Sequence, residues 1–116
     1  MAIERKHVNN RMSQVVVSGG LVYLAGQVAQ NARGGSVAEQ TRDILARIDQ
    51  LLAEAGTEKS KVLTASVWLA DISKFDEMNS VWDGWVAPGN PPARACVESK
   101  LADPAFTVEI MVTAAQ

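Results

Sequence analysis

The sequence has one cysteine and one histidine in 116 residues. A single thiol cannot close an internal bridge, and one histidine beside one cysteine cannot complete a zinc site of the His/Cys type. No lysine and arginine run occurs, and 11 basic against 13 acidic residues leave a net charge of -2. Phosphate backbones and anionic lipid are therefore poor partners. Aromatic residues make up only 5% of the chain, too few for a base-stacking platform. No apolar stretch approaches the ~18 residues of a membrane span, and no apolar segment follows Met1-Ala2-Ile3-Glu4-Arg5-Lys6. The expectation is a soluble, cytoplasmic protein of a reducing compartment.

What is present suits one globular domain over residues 1–116, with 47% hydrophobic and 21% charged residues. By size scaling such a chain buries roughly two-thirds of its unfolded surface. The first ten residues are polar, and His7 among them reads as a solvated or edge-strand residue. Ser13–Ser18 and Leu21–Gly26 are β-rich runs around Gly19-Gly20, which predicts a hairpin. Ser36 and Glu39 have capping-box spacing, so a helix starts there. Ile44, Leu45, Ile48, Leu51, Leu52 and Ala55 then recur on one helical face until Gly56.

Lys61–Leu69 reads as a strand with Leu63, Ala65, Val67 and Leu69 on an oily face and Val62, Thr64, Ser66 and Trp68 opposite. Asp71 or Ser73 can cap a second helix bearing Phe75, Met78, Val81, Trp82 and Trp85, whose tryptophans read as core. It stops before Pro88-Gly89-Asn90-Pro91-Pro92. Two strands follow. In the first, Arg94, Cys96 and Glu98 alternate with Ala93, Ala95 and Val97; in the second, Val108, Ile110 and Val112 oppose Thr107, Glu109, Met111 and Thr113.

This order predicts an α/β sandwich with both helices on one side of a mixed sheet. A right-handed crossover brings Lys61–Leu69 parallel to the second hairpin strand. The other sheet face is expected to carry Val62, Trp68, Cys96 and Met111, too apolar to face water throughout, so a second copy of the chain is expected to cover it. Arg94 and Glu109 are placed on that same face. Either they form an ion pair or rim charges, or they mark a small-anion site at a subunit boundary.

The stretch from Asn90 to Glu98, followed by Val108-Glu109-Ile110, resembles the C-terminal signature of the Rid family, the reactive intermediate deaminases also called the YjgF family. Ala25-Gly26-Gln27-Val28 is similar to the family's segment after the first hairpin, and Phe75 through Asn79 to its second-helix opening. The resemblance implies a chorismate-mutase-like fold, a last strand inserted antiparallel inside the sheet, and a homotrimer with ligand clefts between subunits. It also implies hydrolytic deamination of enamines and imines of 2-amino acids, such as 2-aminoacrylate, to 2-keto acids and ammonia. That activity is of the 2-iminobutanoate/2-iminopropanoate deaminase type, with no cofactor and no metal.

In that implied reaction Arg94 grips the substrate carboxylate through two parallel hydrogen bonds, and Glu109 orients the attacking water and relays its proton. Gly26 lets backbone approach the substrate, Asn79 lines the same cleft, and Cys96 is a pocket-lining thiol rather than a nucleophile, since no histidine is near to activate it. Two departures accompany the resemblance. Asn10-Arg11-Met12-Ser13 stands where familiar members carry a tyrosine, with Arg11 read as a surface residue, and Ala25 stands where they carry a serine. The alternative function is a non-catalytic trimer that binds small 2-keto carboxylates as a regulatory module. Action on RNA, holding of unfolded protein and chorismate rearrangement rank lower.

Overall fold

The two glycines form the expected turn. In the computed structural model, which describes residues 2–116, β2 (Ser13–Ser18) and β3 (Leu21–Leu24) pair antiparallel with Ser18 opposite Leu21. Gly19 and Gly20 have φ of 60° and 79°, which a two-residue hairpin of native twist requires. The polar opening segment is itself an edge strand, β1 (Glu4–Val8), paired antiparallel with β2. His7 lies in it, exposed, with its Nε2 2.9 Å from Glu54 Oε2.

A short strand, β4 (Gln27–Val28), leads into helix α1 (Val37–Glu54). Ser36 Oγ accepts from the Glu39 N–H at 3.1 Å, and the Glu39 carboxylate accepts from the Ser36 N–H at 3.3 Å. Two of the free N–H groups of the helix start are thereby satisfied. The face read from the sequence is the buried one: Ile44, Ile48, Leu51 and Leu52 are wholly enclosed.

Beyond α1 come β5 (Val62–Leu69), α2 (Phe75–Trp85), β6 (Ala93–Glu98) and β7 (Val108–Ala115). Asp71 caps a single 3-10 turn, Ile72–Lys74, by accepting from the Ser73 N–H, and α2 begins only after it. The expected faces of β5 need one correction. Pairing with β7 shifts register between Val62 and Thr64, so Val62 is 5% exposed and Leu63 46%. An irregularity of this kind reverses the alternation on one side of itself, and strict period-two counting cannot register it.

The sheet order is β1-β2-β3-β7-β5-β6, with β4 also paired to β7. β7 runs antiparallel to both β3 and β5, which makes those two strands parallel to each other, and β5 and β6 pair parallel. A crossover through α1 accounts for the first relation and one through α2 for the second. The core lies between the helices and one sheet face, where Ala65, Val67, Leu69, Ile110 and Val112 meet α1 and α2. Tyr23, Val97 and Met111 stay exposed; their register places them on the opposite face. No described helix is long and apolar enough to cross a membrane.

Candidate functional site

In β6, Arg94, Cys96 and Glu98 do share a face, as the alternation predicts. That face is not the uncovered one. Arg94 pairs with Ala65, Cys96 with Val67 and Glu98 with Leu69, and those β5 partners are core residues. Directly paired residues point to the same side of a sheet, so the expected placement of Arg94 and Cys96 beside Met111 is wrong. They lie on the helix side, under α2. The reason is chemical: Ala93, Ala95 and Val97 are more apolar, but at an edge strand the arginine stem and thiol can fill a groove that a helix only half closes.

The Arg94 guanidinium is held there from several directions. Its Nη1 donates to Asn79 Oδ1 at 2.8 Å. Its Cζ stands 5.0 Å from the Trp82 ring centre and 5.8 Å from that of Phe75. Phe75, Asn79 and Trp82 are spaced four and three residues apart and form one stripe of α2. Asn79 thus joins Arg94 as expected, whereas the two aromatics, read from sequence as core alone, turn out to be its walls. The signal was the asparagine inside an apolar stripe. Among the described residues no carboxylate lies within ion-pair distance of Arg94, and its Nε and Nη2 donate no hydrogen bond.

Cys96 is half-buried and packs against the core. Burial pushes its thiol up, and the neighbouring Arg94 offsets part of that. The single histidine lies on β1, at the opposite edge of the sheet from β6.

Glu109 and Gly26 form a second group. Glu109 pairs with Trp68 on β5 and with Val28 on β4, on the uncovered face. A Cβ built on Gly26 would overlap the Glu109 carboxylate, so only glycine leaves room for that group where it stands. Burial pushes the Glu109 carboxyl above the usual carboxylate range, with no cation or hydrogen-bond donor acting against it. Ala25 precedes Gly26 and adds no polar atom beyond the backbone. Arg11 is exposed.

The two groups do not meet within one chain. Arg94 stands opposite Ala65 and Glu109 opposite Trp68, two strands apart, which by sheet geometry separates their Cα atoms by roughly 14 Å, with side chains on opposite faces. Clefts of about 310 Å³ lie elsewhere: one between α1 and α2, one where β4 meets α1, and one lined by Ala70, Leu101 and Phe106.

The family model described as endoribonuclease L-PSP matches residues 3–116. A RutC family protein of Haemophilus ducreyi is 45% identical over 113 residues, covering 97% of this chain and 96% of its own. The RutC family protein YoaB of Escherichia coli K12 is 39% identical over 115 residues, 99% of each chain. Among solved structures, a YjgF family member from Neisseria meningitidis superposes with a TM-score of 0.96 at 47% identity, covering 100% of this chain and 96% of that one. A Rid family protein from Yersinia pestis superposes at 0.85 with 28% identity, covering 94% and 90%. With its mixed sheet, two helices on one face and full-length matches, the chain belongs to the YjgF/Rid family, whose members are also named RutC and L-PSP proteins.

Proposed function

We propose that the protein hydrolyses enamine and imine forms of 2-amino acids, of the 2-aminoacrylate type, to 2-keto acids and ammonia, in clefts shared between copies of a homotrimer. The observation that carries this reading is the state of Arg94. A half-buried guanidinium fixed by Asn79 and two rings, with no ion-pair partner among the described residues, is costly until an anion joins it. A carboxylate meets that need with two parallel charge-assisted bonds, each contributing roughly 1.5–3 kcal/mol.

Glu109 faces the other side of the sheet, so a site using both residues takes Arg94, Asn79 and Cys96 from one copy and Glu109 and Gly26 from the next. The uncovered face around Glu109 includes Trp68, Met111 and Tyr23, a surface apolar enough to favour association. Closed symmetry then repeats the same junction at every subunit boundary.

The chemistry follows in balanced steps. An enamine first takes a proton on its β-carbon and becomes an iminium. Water adds through oxygen to C2, and the C=N electron pair moves to nitrogen. Glu109 accepts the proton released by that water and returns it to the amine. The C2–N bond breaks as the C2=O bond forms, the hydroxyl proton passes to Glu109, and ammonia leaves and carries that proton away as ammonium. A carboxyl raised by burial is better matched to taking and returning a proton near neutrality than an ordinary one with a pKa of about 4.3.

The test generates the imine in situ with an amino-acid oxidase and follows release of keto acid and ammonia. The expected result is acceleration by the wild type, lost by at least about a hundredfold in Arg94→Lys, which keeps charge but not the planar fork. The departures at Ala25 and at Asn10–Ser13 favour one second reading, a trimeric module that binds 2-keto carboxylates without turnover. Calorimetric binding of pyruvate or 2-ketobutyrate with no acceleration would select it.

A further inference from the structure

Arginine has four rotatable side-chain bonds, so gripping a planar carboxylate requires something that fixes the guanidinium plane. Asn79 fixes one nitrogen. The plane itself is set by the rings, and the nearer ring is Trp82, which is 5% exposed. Trp82 in turn meets Trp85, with ring centres 5.2 Å apart and planes inclined by 53°.

Trp85 is not free to tilt. Its Nε1 donates to both carboxylate oxygens of Asp49, at 3.1 Å each, and Lys59 Nζ sits 5.7 Å over the ring. Asp49 belongs to α1 and is exposed. Helix α1 therefore clamps one end of an aromatic pair whose other end supports Arg94.

We infer that Trp82, held by Trp85 and Asp49, is a positioning residue for Arg94, and that the bond between the Asp49 carboxylate and the Trp85 indole sets how well Arg94 grips a carboxylate. This rests on the reading of Arg94 given above. Asp49 touches no substrate in this scheme; it acts through two rings. A cation above the face of an indole is stabilised most when water is excluded, which the burial of Trp82 favours.

The experiment is calorimetry on the full-length protein with pyruvate and with pyruvamide, which has the same shape and no charge. Wild type is expected to prefer pyruvate by at least about tenfold, as a charge-assisted pair requires. Asp49→Ala, at an exposed position, should lower pyruvate affinity by about threefold to tenfold and leave pyruvamide unchanged. Asp49→Asn keeps an acceptor for the indole and should restore the wild-type preference. Trp82→Phe, which keeps a ring but a weaker face, should fall between.

If Asp49→Ala and Trp82→Phe keep the wild-type preference, or weaken both ligands equally, the positioning role is wrong. Arg94→Gln, which removes the charge, separates the two levels. Loss of the preference in Arg94→Gln but not in the other variants removes the positioning role alone. An unchanged preference in Arg94→Gln removes the carboxylate grip, and the positioning role with it.

Discussion

Arg94 and Glu109 project from opposite faces of one sheet, with β5 between their strands. No rotamer change brings their charges together, because the strand backbone fixes which face each side chain leaves from. Cooperation between them requires a second copy of the chain.

Mixing two inactive proteins tests that requirement. Arg94→Lys and Glu109→Gln subunits, unfolded and refolded together in equal amounts, should regain about one quarter of wild-type turnover, the statistical share of junctions that pair an intact arginine with an intact glutamate in a closed ring. Each variant refolded alone should stay inactive. Sedimentation of the mixture should show trimers, and a mixture no more active than its parents would place both residues in one subunit's chemistry or in none.

Gly26 and Glu109 offer a substitution that acts on position alone. The Cβ of Gly26→Ala would occupy the place of a carboxylate oxygen at the free end of a flexible side chain. The carboxylate must swing aside while the backbone stays, so stability should change by less than about 0.5 kcal/mol. Turnover should fall by at least about tenfold if water is oriented from that oxygen. Thermal melting and the imine assay measure the two effects separately, and full turnover would show that the placement of Glu109 is irrelevant.

Burial raises the Glu109 carboxyl, so its protonated form is the one the fold prefers. Its contribution to stability is fully present below the unfolded pKa of about 4.3 and is lost as pH rises through the raised folded value. Glu109→Gln should therefore melt at or above the wild-type temperature at pH 7, with the difference closing toward pH 4. A variant that is less stable than wild type at pH 7 would mean that the carboxylate has a stabilising partner in the assembled protein.

Cys96 is held as a thiol by burial, despite Arg94 nearby, and the only histidine is at the far edge of the sheet. Cys96→Ser should keep turnover within about threefold, whereas loss of a nucleophile costs orders of magnitude. Alkylation by iodoacetamide should be slow at pH 7 and quicken as pH rises. A covalent adduct trapped at Cys96 during turnover would refute this.

Much of the fold was legible because it is local. Gly19-Gly20, the Ser36/Glu39 box and the Ile44–Leu52 stripe each act within a few residues, and their physics does not depend on what packs against them. The resemblance of Asn90–Glu98 named the family and pointed to Arg94, Asn79, Gly26 and Glu109. Edge strand β1 was legible only as one of two readings of His7, solvated or edge-strand, since a strand with mostly exposed side chains needs no apolar alternation. The irregularity after Val62 escaped for a related reason: it is set by how β5 meets β7, and neither strand encodes it alone.

The amino-acid sequence by itself determined which residues alternate, which helical stripe is oily and which charges sit inside strands, because these follow from backbone periodicity. Only the tertiary structure decided which face of β6 the helix covers, and hence that Arg94 stands under Trp82 while Glu109 looks the other way. Periodicity sets the phase of a strand but not its sign; the sign comes from the partner strand, through the pairing of Arg94 with Ala65 and of Glu109 with Trp68.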